Sequence, residues 1–79
     1  MMRALGRLLG MRYLDRTAVM EIARRHCATM GWPWDEPILV TEGLRSTSIH
    51  TNAEHKGINV YLRINARTGR VDYAWFARR

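Results

Sequence analysis

The 79-residue sequence predicts an α+β fold: one amphipathic helix packed on a three- to four-stranded antiparallel sheet, an α-β-β-β-β meander. Two periodicities support this prediction. Apolar residues recur at steps of three and four over positions 16–30, which is typical of a helix, and at steps of two after position 38, which is typical of strands. Because the two patterns occupy separate parts of the chain, we expect the helix to cover one face of the sheet.

The helix is predicted over residues 16–30. Asp15 can accept hydrogen bonds from the first free backbone N–H groups, and Gly31 can adopt the left-handed conformation that ends a helix. Pro33 prevents the helix from continuing. The predicted buried stripe consists of Ala18, Val19, Ile22, Ala23, His26, Cys27 and Met30. The residues expected in water are Arg16, Glu21, Arg24, Arg25 and Thr29.

A stiff connector follows over residues 32–37, because it contains two prolines. Its two tryptophans, Trp32 and Trp34, either cover the end of the core or present an aromatic surface to a partner. A domain of this size needs their apolar area, which favours a place over the core.

Strands are predicted over residues 38–44, 45–51, 58–65 and 70–76. The second is polar and has only Ile49 as a strong apolar anchor. The third alternates most clearly. Its predicted buried face consists of Ile58, Val60, Leu62 and Ile64, and its predicted wet face includes Asn59, Tyr61 and Arg63.

A turn over residues 65–69 connects the last two strands, with Asn at its start and Gly where positive φ is required. One face of the last strand carries Val71, Tyr73 and Trp75, and the other carries Asp72, Ala74 and Phe76. Both faces contain an aromatic residue, so the sequence leaves open which one points inward. The open face of the sheet is expected to combine members of this strand with Asn59, Tyr61 and Arg63.

Positive charge is the strongest compositional signal: thirteen Lys and Arg against seven Asp and Glu, a formal net charge of +6. Such a balance favours polyanionic partners. Five of these basic residues lie near the termini: Arg3, Arg7, Arg12, Arg78 and Arg79. Residues 13–77 contain eight basic and seven acidic residues, a net charge of +1, so most of the positive charge lies in the tails.

Residues 1–12 are expected to form a flexible or short helical basic leader, and residues 13–79 a single small α+β domain. Leu5, Leu8 and Leu9 would share one face of a short helix, whereas two glycines favour a loosely ordered segment. No apolar run approaches the ~20 residues that span a bilayer, and the leader lacks the pattern of a secretory signal. With a single cysteine, the sequence predicts a cytoplasmic protein.

Catalytic and metal-binding patterns are absent from the sequence. His26 and Cys27 are neighbours on a helix and point about 100° apart, so they cannot act as base and nucleophile together. His50 and His55 lack further ligands at metal-binding spacing. No phosphate-binding or dinucleotide-binding glycine motif occurs. We therefore expect a non-enzyme with no catalytic residues, no metal and no cofactor.

Two segments, residues 17–24 and 59–71, resemble the PepSY-like domains. In that family a helix rich in Ala and Ile precedes a strand, an Asp-Ala-x-Thr-Gly-x-Val turn and a final strand. Here Asn65 stands where Asp is usual, and Gly69 and Val71 match the turn. The resemblance implies a small α+β fold and a non-catalytic role.

The PepSY-like resemblance extends over about residues 15–76. Such domains occur in propeptides and in membrane or secreted proteins, where they are thought to restrain peptidases or to bind other proteins. The resemblance implies no catalytic residues in this chain.

Two functional hypotheses follow from the sequence. The first is a protein- or peptide-interaction or regulatory module, with partner-binding residues Trp32, Trp34, Tyr61 and Arg63. The alternative is a nucleic-acid-binding protein that uses Arg3, Arg7, Arg63, Arg67, Arg70, Arg78 and Arg79. The sequence leaves open whether the chain is a monomer or a homodimer.

Overall fold

The computed structural model describes residues 13–78 and contains one helix followed by four strands. The elements in chain order are α1 (Arg16–Met30), β1 (Leu39–Glu42), β2 (Ser46–His50), β3 (Asn59–Asn65) and β4 (Val71–Ala77). The strands form one antiparallel sheet in the order β1-β2-β3-β4. This confirms the predicted α+β fold and its meander. The predicted leader and Arg79 lie outside the described residues.

The ends of α1 form as the sequence predicts. The Asp15 side chain accepts a hydrogen bond from the Ala18 N–H at 2.8 Å. At the other end Gly31 has φ +73° and donates to the Ala28 carbonyl, while the Trp32 N–H donates to the Cys27 carbonyl. These two bonds form a Schellman motif, which satisfies carbonyls that a helix end leaves free.

The core lies between α1 and the two central strands. Its buried side chains are Val19, Ala23 and Cys27 from the helix and Ile49, Val60, Leu62 and Ile64 from β2 and β3. The helical members are spaced by four residues and therefore share one face. Met30, also predicted in the stripe, is half exposed instead, because it ends the flanking row that begins with the half-buried Ile22 and His26.

The alternation predicted for the third strand is reversed at its first residues. Ile58 has φ +56° and is 43% exposed, whereas Asn59 is only 3% exposed. The Asn59 Nδ2 atom lies 3.0, 2.8 and 3.1 Å from the carbonyl oxygens of Thr51, Asn52 and His55. The Asn59 backbone therefore begins β3 while its side chain is buried against the β2–β3 loop, and its predicted place on the wet, open face is wrong.

A β-bulge decides which residues of β4 point inward. Leu62 pairs with Ala74 and Val60 with Phe76, so Ala74 and Phe76 face α1. Ile64, however, pairs with Val71, and the register shifts there by one residue. The single-face grouping of Val71, Tyr73 and Trp75 is therefore wrong for Val71, which packs against the core.

The β3–β4 turn has the Asn and Gly conformations that the sequence predicts. The Asn65 Oδ1 atom accepts hydrogen bonds from the backbone N–H groups of Arg67 and Thr68, at 2.9 and 3.0 Å. Gly69 has φ +80°, and a Cβ built there would lie 3.1 Å from Ile22 Cδ1. Glycine is thus needed for the turn conformation, and a larger residue would also require the Ile22 side chain to shift.

We expect Asn59→Asp to destabilise the domain by at least about 2 kcal/mol, because it replaces a buried donor with a carboxylate that faces carbonyl oxygens. The matched control is Asn65→Asp, where the side chain only accepts hydrogen bonds, so the expected change is within about 0.5 kcal/mol. Urea unfolding of both variants measures the difference. Equal losses of stability would contradict the donor role of Asn59.

Leu62→Ala should lower the free energy of unfolding by about 2–5 kcal/mol, because Leu62 is 2% exposed at the centre of the core. Leu44→Ala removes the same atoms from a side chain that is 88% exposed, and should change stability by less than about 0.5 kcal/mol. Thermal unfolding followed by circular dichroism compares the two. An unchanged midpoint in the Leu62 variant would refute this core.

Candidate partner-binding face and edge strand

The sheet face that points away from α1, called the open face, carries two rows of side chains that cross all four strands. The ring row consists of Leu39, His50, Tyr61 and Trp75. The arginine row consists of Thr41, Ser48, Arg63 and Tyr73. The structure thus brings the predicted residues Tyr61 and Arg63 together on one surface, as neighbours two positions apart on β3.

The rings of the ring row stack on one another across three strands. The ring centroids of His50 and Tyr61 are 4.3 Å apart at 23°, and those of Tyr61 and Trp75 are 5.5 Å apart at 24°. Tyr61 therefore has a ring on each side. Trp75, at the end of the row, is 52% exposed.

The backbone pattern explains these two spacings. The Val60 carbonyl accepts from the Thr51 N–H, so by alternation the polar groups of Tyr61 point to β4. Tyr61 and Trp75 are then a hydrogen-bonded pair, with Cα atoms about 5.5 Å apart, and His50 and Tyr61 a non-hydrogen-bonded pair at about 4.5 Å. The shorter ring distance thus belongs to the pair whose Cα atoms are closer.

Arg63 and Tyr73 dominate the arginine row. The guanidinium carbon of Arg63 lies 6.0 Å from the Tyr73 ring centroid, within the range of a cation–π contact. Together with Leu39, Thr41 and Ser48 they line a depression of about 200 Å³ on the open face. Neither row contains a carboxylate.

The open face is unusually apolar for the solvated side of an antiparallel sheet, which commonly carries polar residues. Leu39, Tyr73 and Trp75 are each about half exposed on it. These three side chains are the exposed large apolar residues of the open face.

Within residues 13–78, β4 is an edge of the sheet, and its outer backbone groups can be identified. Because Tyr61 and Arg63 direct their polar groups to β4, those of Trp75 and Tyr73 point back to β3. The N–H and C=O groups of Ala74 and Phe76 consequently point away from the sheet. These groups can pair with an added strand.

The two edges of the sheet differ in length and protection. Edge strand β1 has four residues, follows Pro37 closely and ends at Glu42. By contrast, β4 has seven residues; its charged residue, Asp72, and its bulge lie at its start, and residues 73–77 contain neither Pro nor a charged residue. Since short strands and charged or proline residues prevent edge pairing, β4 is the more accessible edge.

The other two predicted partner-binding residues lie elsewhere. Trp32 is half-buried and its ring centroid lies 5.9 Å from those of both His26 and Phe76. Trp34 is also half-buried against the core. Both tryptophans belong to the helix side of the sheet, so they do not form one surface with Tyr61 and Arg63.

The described arginines of the nucleic-acid hypothesis do not converge. Arg63 lies on the open face, and Arg67 lies in the exposed β3–β4 turn. Arg70 bonds to the Asp72 carboxylate at 2.7 Å. Arg78 follows β4 at its opposite end, 5.4 Å from the Phe76 ring centroid. Arg3, Arg7 and Arg79 are outside the described residues.

Within residues 13–78, a thiol and a histidine ring each carry a buried reactive atom. Cys27 is a buried free thiol, and burial raises its pKa. His50 has a buried Nε2 atom without a protein hydrogen-bond partner in this part of the chain. No group of three or more His, Cys, Asp or Glu residues suited to a metal ion occurs here.

No helix within residues 13–78 is long and apolar enough to cross a membrane.

Scans of the chain against protein-family models, curated proteins and solved structures found no match. The PepSY-like resemblance therefore stays a prediction from the sequence.

The positions of the tryptophans predict losses of stability that differ in size. Trp32→Ala should destabilise the domain by about 3 kcal/mol, because it removes a large side chain packed on Phe76. Trp75→Ala should cost only about 1 kcal/mol, because it removes the half-exposed end of the ring row. Urea unfolding gives both values. A larger loss for Trp75 would place it, and not Trp32, in the core.

Proposed function

We propose that this domain is a non-enzymatic protein-interaction module that binds an added β-strand along β4. The observation that carries the proposal is the combination of a seven-residue edge strand with half-exposed Tyr73 and Trp75 on its open face. Main-chain hydrogen bonds of such an added strand supply affinity, and pockets for alternate side chains supply specificity.

The backbone groups of Ala74 and Phe76 are the donors and acceptors for the incoming strand. Side chains of that strand that point to the open face would lie beside Tyr73 and Trp75. Aromatic and β-branched residues are favoured there, because cross-strand pairs of these types stabilise sheets. The expected partner segment is therefore extended and alternates such residues with others.

A protein strand fits this surface better than a single-stranded nucleic acid. Bases bind sheet platforms by stacking on ring faces, and both faces of Tyr61, the central ring of the row, are covered by His50 and Trp75, which leaves the outer face of Trp75 for stacking. A nucleic-acid site also needs cations that follow the phosphate chain. The described arginines are instead dispersed over the open face, the turn and the far end of β4. The non-catalytic role implied by the PepSY-like resemblance agrees with the proposal.

The experiment is a peptide selection followed by an NMR titration. Random peptides of about ten residues are displayed and selected on the wild-type domain, and the selected peptides are titrated into ¹⁵N-labelled protein. We expect the largest shifts at the backbone amides of Ala74 and Phe76, with weaker shifts along the ring row. Shifts centred on Trp32 and Trp34 would move the site to the helix side and contradict the proposal.

Ala74→Pro should abolish this binding, because it removes an outward N–H and places a ring at the edge. Val40→Pro is the matched control: the same alternation directs its backbone groups to the outer side of β1, so binding should be unchanged. Circular dichroism verifies that both variants fold. Equal binding by the two variants would refute strand addition at β4.

A parallel titration with single-stranded DNA of about 12 nucleotides at about 0.15 M salt tests the alternative. We expect no shifts of the ring row. Saturable shifts there that persist at this salt concentration would replace the protein-interaction proposal with nucleic-acid binding.

A further inference from the structure

We infer that the strand added along β4 is β4 of a second copy, paired antiparallel about a two-fold axis at Trp75. This inference rests on the proposed strand addition and names its occupant. It joins two four-stranded sheets into one continuous sheet with both α1 helices on the same side.

The bulge selects the centre of the pairing. It ends before Tyr73, so the regular part of β4 is residues 73–77, and its middle residue is Trp75. With the axis there, Ala74 faces Phe76 of the second copy, and each of these residues has its N–H and C=O directed outward. The two copies therefore exchange backbone hydrogen bonds on both sides of the axis.

The same register continues the ring row. Trp75 and Trp75 of the second copy form a non-hydrogen-bonded pair, in which Cα atoms are about 4.5 Å apart and side chains are closest. The ring face of Trp75 that is not against Tyr61 is then covered. The stacked His50, Tyr61 and Trp75 of each copy meet as one ladder of six rings.

Charge complementarity between Asp72, at the end of the bulge, and Arg78, one residue past β4, supports this register. With the axis at Trp75, Asp72 lies opposite Arg78 of the second copy, and symmetry makes this contact twice. Asp72 then lies between its own Arg70, bonded at 2.7 Å, and that Arg78.

Sedimentation equilibrium of the full 79-residue chain over a range of concentrations tests the dimer. We expect a reversible monomer–dimer equilibrium for the wild type and for Val40→Pro, and a monomer for Ala74→Pro. A wild-type chain that stays monomeric, or an Ala74→Pro variant that still dimerises, would overturn the inference.

Charge reversal tests the register. Asp72→Arg and Arg78→Asp, made singly, should each weaken dimerisation about tenfold or more, because each opposes like charges across the axis. The double variant should recover most of the affinity, since the pair is restored with its signs exchanged. Arg67→Asp, in the exposed turn, is the control for net charge and should leave dimerisation unchanged. Failure of the double variant to recover would overturn the Trp75 register.

Cysteine cross-linking gives a second, independent readout of the register. Under oxidation Trp75→Cys should form an intermolecular disulfide, because residue 75 faces itself, whereas Tyr73→Cys on the same face should not. Cross-linking at residue 73 in preference to 75 would overturn the inference. A monomeric chain that still binds selected peptides along β4 would refute the second copy alone, and loss of both activities would refute the proposed function as well.

Discussion

Within residues 13–78 a single helix covers one face of the four-stranded sheet, and the other properties of this part of the chain depend on that constraint. The α1 helix packs its Val19, Ala23 and Cys27 row on the two central strands. That contact fixes one face as the core, and no helix of residues 13–78 covers the opposite face. The open face nevertheless holds Tyr61, Tyr73 and Trp75, so the domain exposes aromatic area that its own helix does not cover.

The bulge at the start of β4 connects core packing with this surface. Because the bulge adds one residue, Val71 contacts the core while the Tyr73 and Trp75 side chains lie on the open face. Without it, strict alternation would put Val71 on the same face as the two aromatic residues. The bulge therefore lets Val71 pack against the core at one end of β4. The rest of the strand stays a regular edge, which is the part suited to pairing.

Local signals predicted from the sequence were confirmed where a few neighbouring residues determine the structure. The ends of α1 depend on Asp15 and Gly31, and the β3–β4 turn depends on Asn65, so each could be identified without knowledge of tertiary contacts. The burial of the Asn59 side chain could not be predicted from the sequence, because it depends on three loop carbonyls that folding brings together. The ring row could not be predicted either, because it depends on the register of the strands and on the bulge.

Amide hydrogen exchange at several protein concentrations tests the central claim, that β4 is an open edge available for pairing. The account predicts rapid exchange at Ala74 and Phe76 in dilute solution, next to slow exchange at Tyr73 and Trp75, which bond to β3. As the concentration rises, exchange at Ala74 and Phe76 should slow, while the outer groups of β1 remain fast. Ala74 and Phe76 amides that are already protected in dilute solution would contradict the account, because the edge would then be covered within one copy.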